Sequence, residues 1–286
     1  MEVKGPDPEE FRSGQREQWD TAASGWTKWQ ELIERGTHGV SERLVELAGV
    51  ERGSRVLDVA AGYGEPTLTA ARRAGEEGSV VATDISPEMV ARGRERLAAE
   101  GAKNVEYVEA DAASLDYPAE SFDAALSRWG IIFDPDGEGA AGRVRGFLKP
   151  EGRFAISSWG PADKVPMLGI PMKTAMRRAD VSPPPPGTPG PLSRPSLEAI
   201  SGLLEAGGFS DVSAEEIEVV LKYESPEDFT TFVREIAPPV SSLLAPLPEK
   251  TQREAWEEIT EVARAQADDD GTLTLSNVAL VASGRA

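Results

Sequence analysis

The segment Val56-Leu-Asp-Val-Ala-Ala-Gly-Tyr-Gly64 joins an apolar run to a glycine turn, and helix-forming residues follow. Gly62 and Gly64 let the backbone approach a ligand closely, and the next helix offers its first N–H groups. Asp84, twenty residues past Gly64, ends a second apolar run. A carboxylate there can accept both hydroxyl hydrogens of a ribose. Asp111-Ala112 ends a third run. A single glycine loop is compatible with an ordinary strand-to-helix turn, and Asp84 alone with a helix start. Three matched positions at three successive strand ends are far more specific.

Other chemistry is sparse. Cysteine is absent, which excludes disulfides, thiolate metal sites and a cysteine nucleophile. His38 is the sole histidine, so histidine-rich metal sites are excluded too. It is the candidate general base, because no other side chain has an ordinary pKa near neutrality; the alternative is a surface loop histidine between Thr37 and Gly39. Tyr63, inside the glycine loop, is a second candidate for contact with a reactant, or else packs on the loop. Asp134 and Asp136 fit a solvated Asp-Pro-Asp-Gly turn better than a metal site, so no metal is expected.

These groups need a scaffold, and the hydrophobic rhythm supplies one. Short apolar runs at residues 55–60, 79–84, 105–110, 122–126 and 153–157 alternate with helical segments at 68–74 and 86–100, and with one ending near residues 149–152. Strands buried on both faces and spaced by helices predict a parallel sheet. Right-handed crossovers place every strand's C-terminal end on one edge, where ligands of open α/β sheets bind. Before this core, three- and four-residue apolar steps predict a helix over residues 11–35, with Trp19, Trp26 and Trp29 on one stripe, and a second over 41–48. After it, residues 182–196 carry seven prolines and two glycines and predict a stiff extended loop. A helix at 196–207, a strand at 212–223, a helical stretch at 225–267 broken at Pro238-Pro239, and a strand at 272–281 complete the chain. The resulting division is a helical lid over 1–48, a ligand-binding core over 49–160, completing elements over 161–224, a helical cap over 225–270 and a final strand over 271–286.

Charge narrows the partners. Thirty Lys and Arg against 49 Asp and Glu give a net charge of −19. Nucleic-acid affinity comes largely from cations displacing counterions, so a polyphosphate partner is disfavoured. No apolar run approaches a membrane span, and residues 1–10 are polar and acidic rather than leader-like. A cytoplasmic chain is the expectation.

With these residues in place, residues 40–160 and the closing strand resemble the class I S-adenosylmethionine-dependent methyltransferases, in the group of ubiquinone/menaquinone C-methyltransferases and many small-molecule enzymes. The resemblance implies a Rossmann-like α/β fold, a seven-stranded, mostly parallel sheet whose last strand is antiparallel, with helices on both faces and helical lid elements. It implies that Asp58, Ala60, Ala61, Gly62 and Gly64 surround the methionine part of the cofactor, with Ala60 where glycine is more usual. Asp84 falls at the ribose-binding acid, Ile85 and Met89 flank the adenine, and Asp111 and Ala112 read its amino group. Ser127 and Arg128 line the methyl side, and Leu148-Lys-Pro-Glu-Gly152 matches the turn before strand five.

A nicotinamide-dependent oxidoreductase is the nearest competitor, but its third glycine is missing: Gly64 is followed by Glu65-Pro66-Thr67. Glu65 would also repel a pyrophosphate at the helix start, whereas a sulfonium cofactor carries no phosphate. A cofactor-binding protein without catalysis is the alternative of another class. Strand four is followed by Ser127-Arg-Trp-Gly130, not the Asn/Asp-Pro-Pro-aromatic of amino-directed nucleic-acid enzymes. The expected acceptor is therefore a small, partly apolar metabolite. Trp26, Trp29, Trp129 and Trp159 are the candidate walls of its pocket; the simpler reading of Trp19, Trp26 and Trp29 is a buried helix stripe.

Overall fold

A computed structural model describes residues 8–185 and 187–286. The first seven residues of the acidic N-terminal segment, and Pro186 of the proline-rich loop, lie outside the described residues.

Seven strands form one sheet among the described residues: β1 (Arg55–Val59), β2 (Ser79–Asp84), β3 (Val105–Glu109), β4 (Phe122–Arg128), β5 (Leu148–Trp159), β6 (Ser210–Tyr223) and β7 (Leu273–Arg285). Their order is β3-β2-β1-β4-β5-β7-β6. β1 to β5 run parallel, and β7 is antiparallel to both β5 and β6. The expected fold is the one observed. The order reverses beside β1, between β2 and β4, so the switch point falls over the glycine turn.

Period-two alternation explains the layers. Val56, Ala124 and Ala155 face one core, shared with Leu44, Ala70, Ala175, Phe229 and Ile259; Leu57, Ala125 and Phe154 face another. Helices α1 (Pro8–Lys28), α2 (Gln30–Leu47), α3 (Thr67–Ala74) and α4 (Pro87–Ala99) precede α5 (Gly137–Phe147), α6 (Pro166–Ala179) and α7 (Leu197–Ala206). Helices α8 (Pro226–Ile236), α9 (Pro238–Leu244) and α10 (Glu249–Arg264) fill the stretch before β7. Ser86 caps α4 by accepting from the Met89 N–H at 3.0 Å, with Pro87 at the first helical position.

The structure departs from the sequence expectation in several places, among them β5, which begins at Leu148 and so takes in the expected turn over residues 148–152. The first helix ends at Lys28, and α2 runs unbroken through Gly36 and Gly39, so His38 is helical rather than in a loop. Gly36 marks close packing, not a helix end: a Cβ there would lie 2.5 Å from Leu221 Cδ2 and 2.7 Å from the Val220 carbonyl. α6 has no counterpart among the expected elements; its Pro166 occupies the tolerated first turn, and Pro171 lies inside the helix. β7 extends to Arg285 because its ladder with β6 continues to Ser210. No helix among the described residues is long and apolar enough to cross a membrane.

Candidate functional site

One cavity of about 220 Å³ opens above the C-terminal strand tips. A single water needs roughly 10–15 Å³ measured the same way, so the space suits an organic ligand. Its walls include Ala60, Ala61, Gly62, Tyr63, Asp84, Ile85, Met89, Asp111, Ala112 and Arg128, together with Trp26, Trp129 and Trp159.

The glycine loop is shaped by left-handed backbone. Ala60 has φ 57°, Gly62 58° and Gly64 113°. Ala60 thus occupies a conformation that favours glycine, at the position where the resemblance wants one. Asp84 ties the loop to the second strand tip: its carboxylate accepts the Gly62 N–H at 2.8 Å and the Ser86 N–H at 2.9 Å. Burial pushes its pKa up to about 6, against the lowering effect of those bonds. Tyr107 donates its hydroxyl to the Gly62 carbonyl.

Several expected binding residues sit behind the wall rather than in it. Asp58 is fully buried beneath the loop, accepts from the Thr67 hydroxyl at 2.6 Å, and is pushed up to about 7 by burial. It braces the start of α3. Gly64 also lies behind the lining. Ser127 is fully buried and accepts the Ile131 N–H at 2.9 Å, closing the turn after β4. Asp58 and Ser127 act on the cavity's shape through the hydrogen bonds that hold the start of α3 and the turn after β4.

His38 is placed differently from the base role considered for it. It lies on α2, its side chain 54% exposed and 3.2 Å from Glu42, outside the cavity lining. Trp29 is likewise outside: its indole N–H donates to Glu235, and its ring packs edge-on to Phe232 at 5.6 Å. Helical periodicity put Trp29 on the stripe, but the break after Lys28 turns it towards α8.

The remaining aromatic residues form one half of the cavity. Trp129 and Trp159 stack with centroids 4.4 Å apart and planes within 8°. Trp26 lies 6.1 Å from both Tyr63 and Trp19. Trp26 Nε1, Trp129 Nε1 and the Tyr63 hydroxyl are buried without a hydrogen-bond partner. Three orphaned donors around one cavity are costly unless a ligand satisfies them. They fit a bound molecule with polar atoms.

Sequence reasoning missed the roof. Arg12 on α1 reaches across the strand tips, 3.2 Å from Asp111 and 3.5 Å from Asp134. Arg16 donates to the Ile85 carbonyl at 3.1 Å, and Asp20 accepts from Ser86. Trp19 packs edge-on to Phe133 at 5.2 Å. Met167 and Met172 of α6 and Leu221 of β6 line the far side. No sequence signal marked Arg12, whose partners are about 100 residues away; Trp19 was legible only as part of a stripe.

With this geometry in view, residues 56–152 match the family model for a methyltransferase domain. The chain is 37% identical over 142 residues to a ubiquinone/menaquinone biosynthesis C-methyltransferase of Azotobacter vinelandii, covering 49% of this chain and 56% of that protein. It spans about half the length of the curated relatives it matches. A S-adenosylmethionine-dependent methyltransferase from Aquifex aeolicus superposes with a TM-score of 0.51 at 22% identity, over 68% of this chain and 92% of that one. The [4+2]-cyclase SpnF superposes at 0.53 with 18% identity, over 86% and 80%. Both structural likenesses speak to the fold, and the second shows that this fold hosts more than one chemistry.

Proposed function

We propose that this chain, whose residues 56–152 match a methyltransferase domain, is a class I S-adenosylmethionine-dependent methyltransferase that transfers a methyl group from S-adenosylmethionine to a small, partly apolar organic acceptor. The observation that carries this reading is continuity. One cavity joins the Gly62–Asp84–Asp111 cradle to the Trp129–Trp159 aromatic half. A donor and an acceptor can therefore meet inside it.

When bound, the donor supplies a methyl group already activated by a sulfonium. The chain's part is to hold, align and keep dry. Asp84 is placed to take the ribose hydroxyls, Ile85 and Met89 to flank the base, and Asp111 with Ala112 to read its edge. α1 and α2, within the proposed lid over residues 1–48, and Pro238 to Val240 of the proposed cap exclude water. Alignment of this kind is worth up to about 7–11 kcal/mol in well-oriented systems. Burial pushes Tyr63 up to about 12, so its hydroxyl keeps its proton at neutral pH and donates rather than acts as a base. With His38 outside the lining, the acceptor supplies its own nucleophile.

The test is transfer of labelled methyl from S-adenosylmethionine across a panel of phenols, quinols and amines. Label in any product supports the reading. Tight binding of S-adenosylhomocysteine with no transfer to any acceptor would point instead to a donor-binding protein without catalysis. Binding of NAD in place of S-adenosylhomocysteine would point to an oxidoreductase.

A pH dependence follows from Asp84. Its pKa near 6 means that the carboxylate is ionised at pH 7 and mostly protonated at pH 5. Protonation removes an acceptor from the ribose site, so S-adenosylhomocysteine affinity should fall several-fold between pH 7 and 5. Calorimetry at both values measures it. Asp84→Asn should bind more weakly but with a flat profile; an equally steep profile in that variant would assign the titration to another group.

A further inference from the structure

The two halves of α1 are held by different forces. None of residues 9–21 is buried, whereas Ala22, Ala23 and Gly25 are. Gly25 meets the backbone of α8 so closely that a Cβ there would stand 2.3 Å from the Glu235 carbonyl. The Glu235 carboxylate takes both Lys28, at 2.8 Å, and the Trp29 indole N–H. The helix breaks at Trp29, where φ is −95° and ψ 11°. Backbone contact and burial thus fix the C-terminal half of α1, and the bend that follows it, against α8.

The N-terminal half is tied down by a polar seam. Arg12, Arg16 and Asp20 recur at four-residue steps and so share one helix face. Arg12 lies 3.2 Å from Asp111 and 3.5 Å from Asp134. Arg16 donates to the Ile85 carbonyl at 3.1 Å. Asp20 accepts from the Ser86 hydroxyl and, at 3.3 Å, from the Glu88 N–H. The seam therefore crosses the tips of β3 and β2 and reaches the start of α4. Trp19 adds edge-on contacts to Phe133 at 5.2 Å and to Trp26 at 6.1 Å. Partly exposed ion pairs and hydrogen bonds are individually weak, and a segment with few buried apolar contacts is where a fold opens first. This same half carries Arg12, Gln15 and Trp19, which wall the cavity that Asp84 and Asp111 also line.

We propose that residues 9–21 form a strap that lifts from the strand tips about the buried Ala22–Gly25 anchor, and that donor exchange passes through this opening. Arg12, Arg16 and Asp20 are positioning residues that set how often the strap opens. The strap rests on the donor reading above, and the experiment separates the two. A seam that only gripped the ligand would change the dissociation rate alone, as most contact losses do. A seam that holds a gate governs entry and exit together. Weakening it raises both rates, and affinity moves less than the exit rate.

Stopped-flow fluorescence on the full chain reads both rates for S-adenosylhomocysteine, since Trp19 and Trp26 wall the cavity. Arg12→Ala combined with Arg16→Ala should raise association and dissociation rates each by about threefold to thirtyfold, the worth of two such contacts. The chain has no cysteine, so Asp20→Cys with Glu88→Cys gives a single thiol pair that oxidation can join across the seam. Joined while empty, that protein should take up S-adenosylhomocysteine at least about 100-fold more slowly, because the link removes the local opening. Joined around the ligand, it should keep it through dialysis until a reductant is added. Lys28→Cys with Glu235→Cys, bridged by a short bis-maleimide, pins the anchored end and should leave both rates within about twofold. Should the thiols not join, the arginine variant carries the test. A rise in the dissociation rate alone, unchanged rates in the arginine variant, or ordinary exchange in the joined protein overturns the strap and leaves the donor reading intact. Wild-type protein that binds no S-adenosylhomocysteine overturns the donor reading and the strap with it.

Discussion

Gly130→Ala should lose donor binding by at least about tenfold and lower the stability of the fold by about 1–3 kcal/mol, the usual cost of forcing atoms into a filled space. A Cβ on Gly130 would stand 2.4 Å from Ala60 Cβ, 2.9 Å from Ser127 Oγ and 3.1 Å from the Val59 carbonyl. Ala60 cannot retreat easily, since it already holds φ 57° at the bend of the glycine loop. The overlap therefore moves the loop that Asp84 anchors through Gly62. Ala60→Gly alone should be neutral or stabilising by up to about 1 kcal/mol, because it relieves a left-handed alanine at the expense of a freer unfolded chain. Combined with Gly130→Ala it removes the nearest clashing atom, so the pair should recover part of both losses. Thermal unfolding and S-adenosylhomocysteine calorimetry on the four proteins of the cycle measure the coupling, expected at about 0.5–3 kcal/mol for residues in contact. Additive effects would show that the two residues do not meet as the structure places them.

Asp84→Ala should weaken S-adenosylhomocysteine binding by about 1–3 kcal/mol, roughly 10- to 100-fold, through loss of a charged acceptor. Stability should fall as well. The substitution leaves the Gly62 and Ser86 N–H groups without their partner, and a buried unpaired donor costs about 1–3 kcal/mol. The two effects separate by measurement: calorimetry at a temperature where the variant is folded reads binding, and the unfolding midpoint reads the loop. Wild-type affinity in a folded Asp84→Ala protein would remove this residue from the donor site.

Much of the scaffold was legible along the chain. β1 to β5 announced themselves as apolar runs bounded by turn residues, and the crossover rule then gathered Gly62, Asp84 and Asp111 on one edge. These are local patterns tied to a general handedness, so they survive without coordinates. The roles of Ser127 and Asp58 were not legible. Both are polar groups at strand tips, and whether such a group faces ligand or props the turn behind it depends on a single reversal of side-chain direction. Asp58 faces Thr67; Ser127 faces the Ile131 N–H.

The bounds of the N-terminal helices differ for a related reason. The expected helices over 11–35 and 41–48 left His38 between them as a candidate base. Gly36 instead admits Leu221, and Gly25 admits the Glu235 carbonyl, to which a Cβ would come within 2.3 Å. A glycine that ends a helix and a glycine that lets another backbone approach are the same letter, and only the neighbour distinguishes them. That neighbour lies about 200 residues away in sequence.

The order and type of the elements, the lack of cysteine, and the gathering of Gly62, Asp84 and Asp111 at neighbouring strand tips were written into the chain itself, because each depends on residues close in sequence or on a universal chirality. The closure of α1 by Arg12 over Asp111 and the exclusion of His38 and Trp29 from the cavity arose only on folding. Each depends on which distant side chain becomes a partner, and burial sets the energetic worth of that pairing.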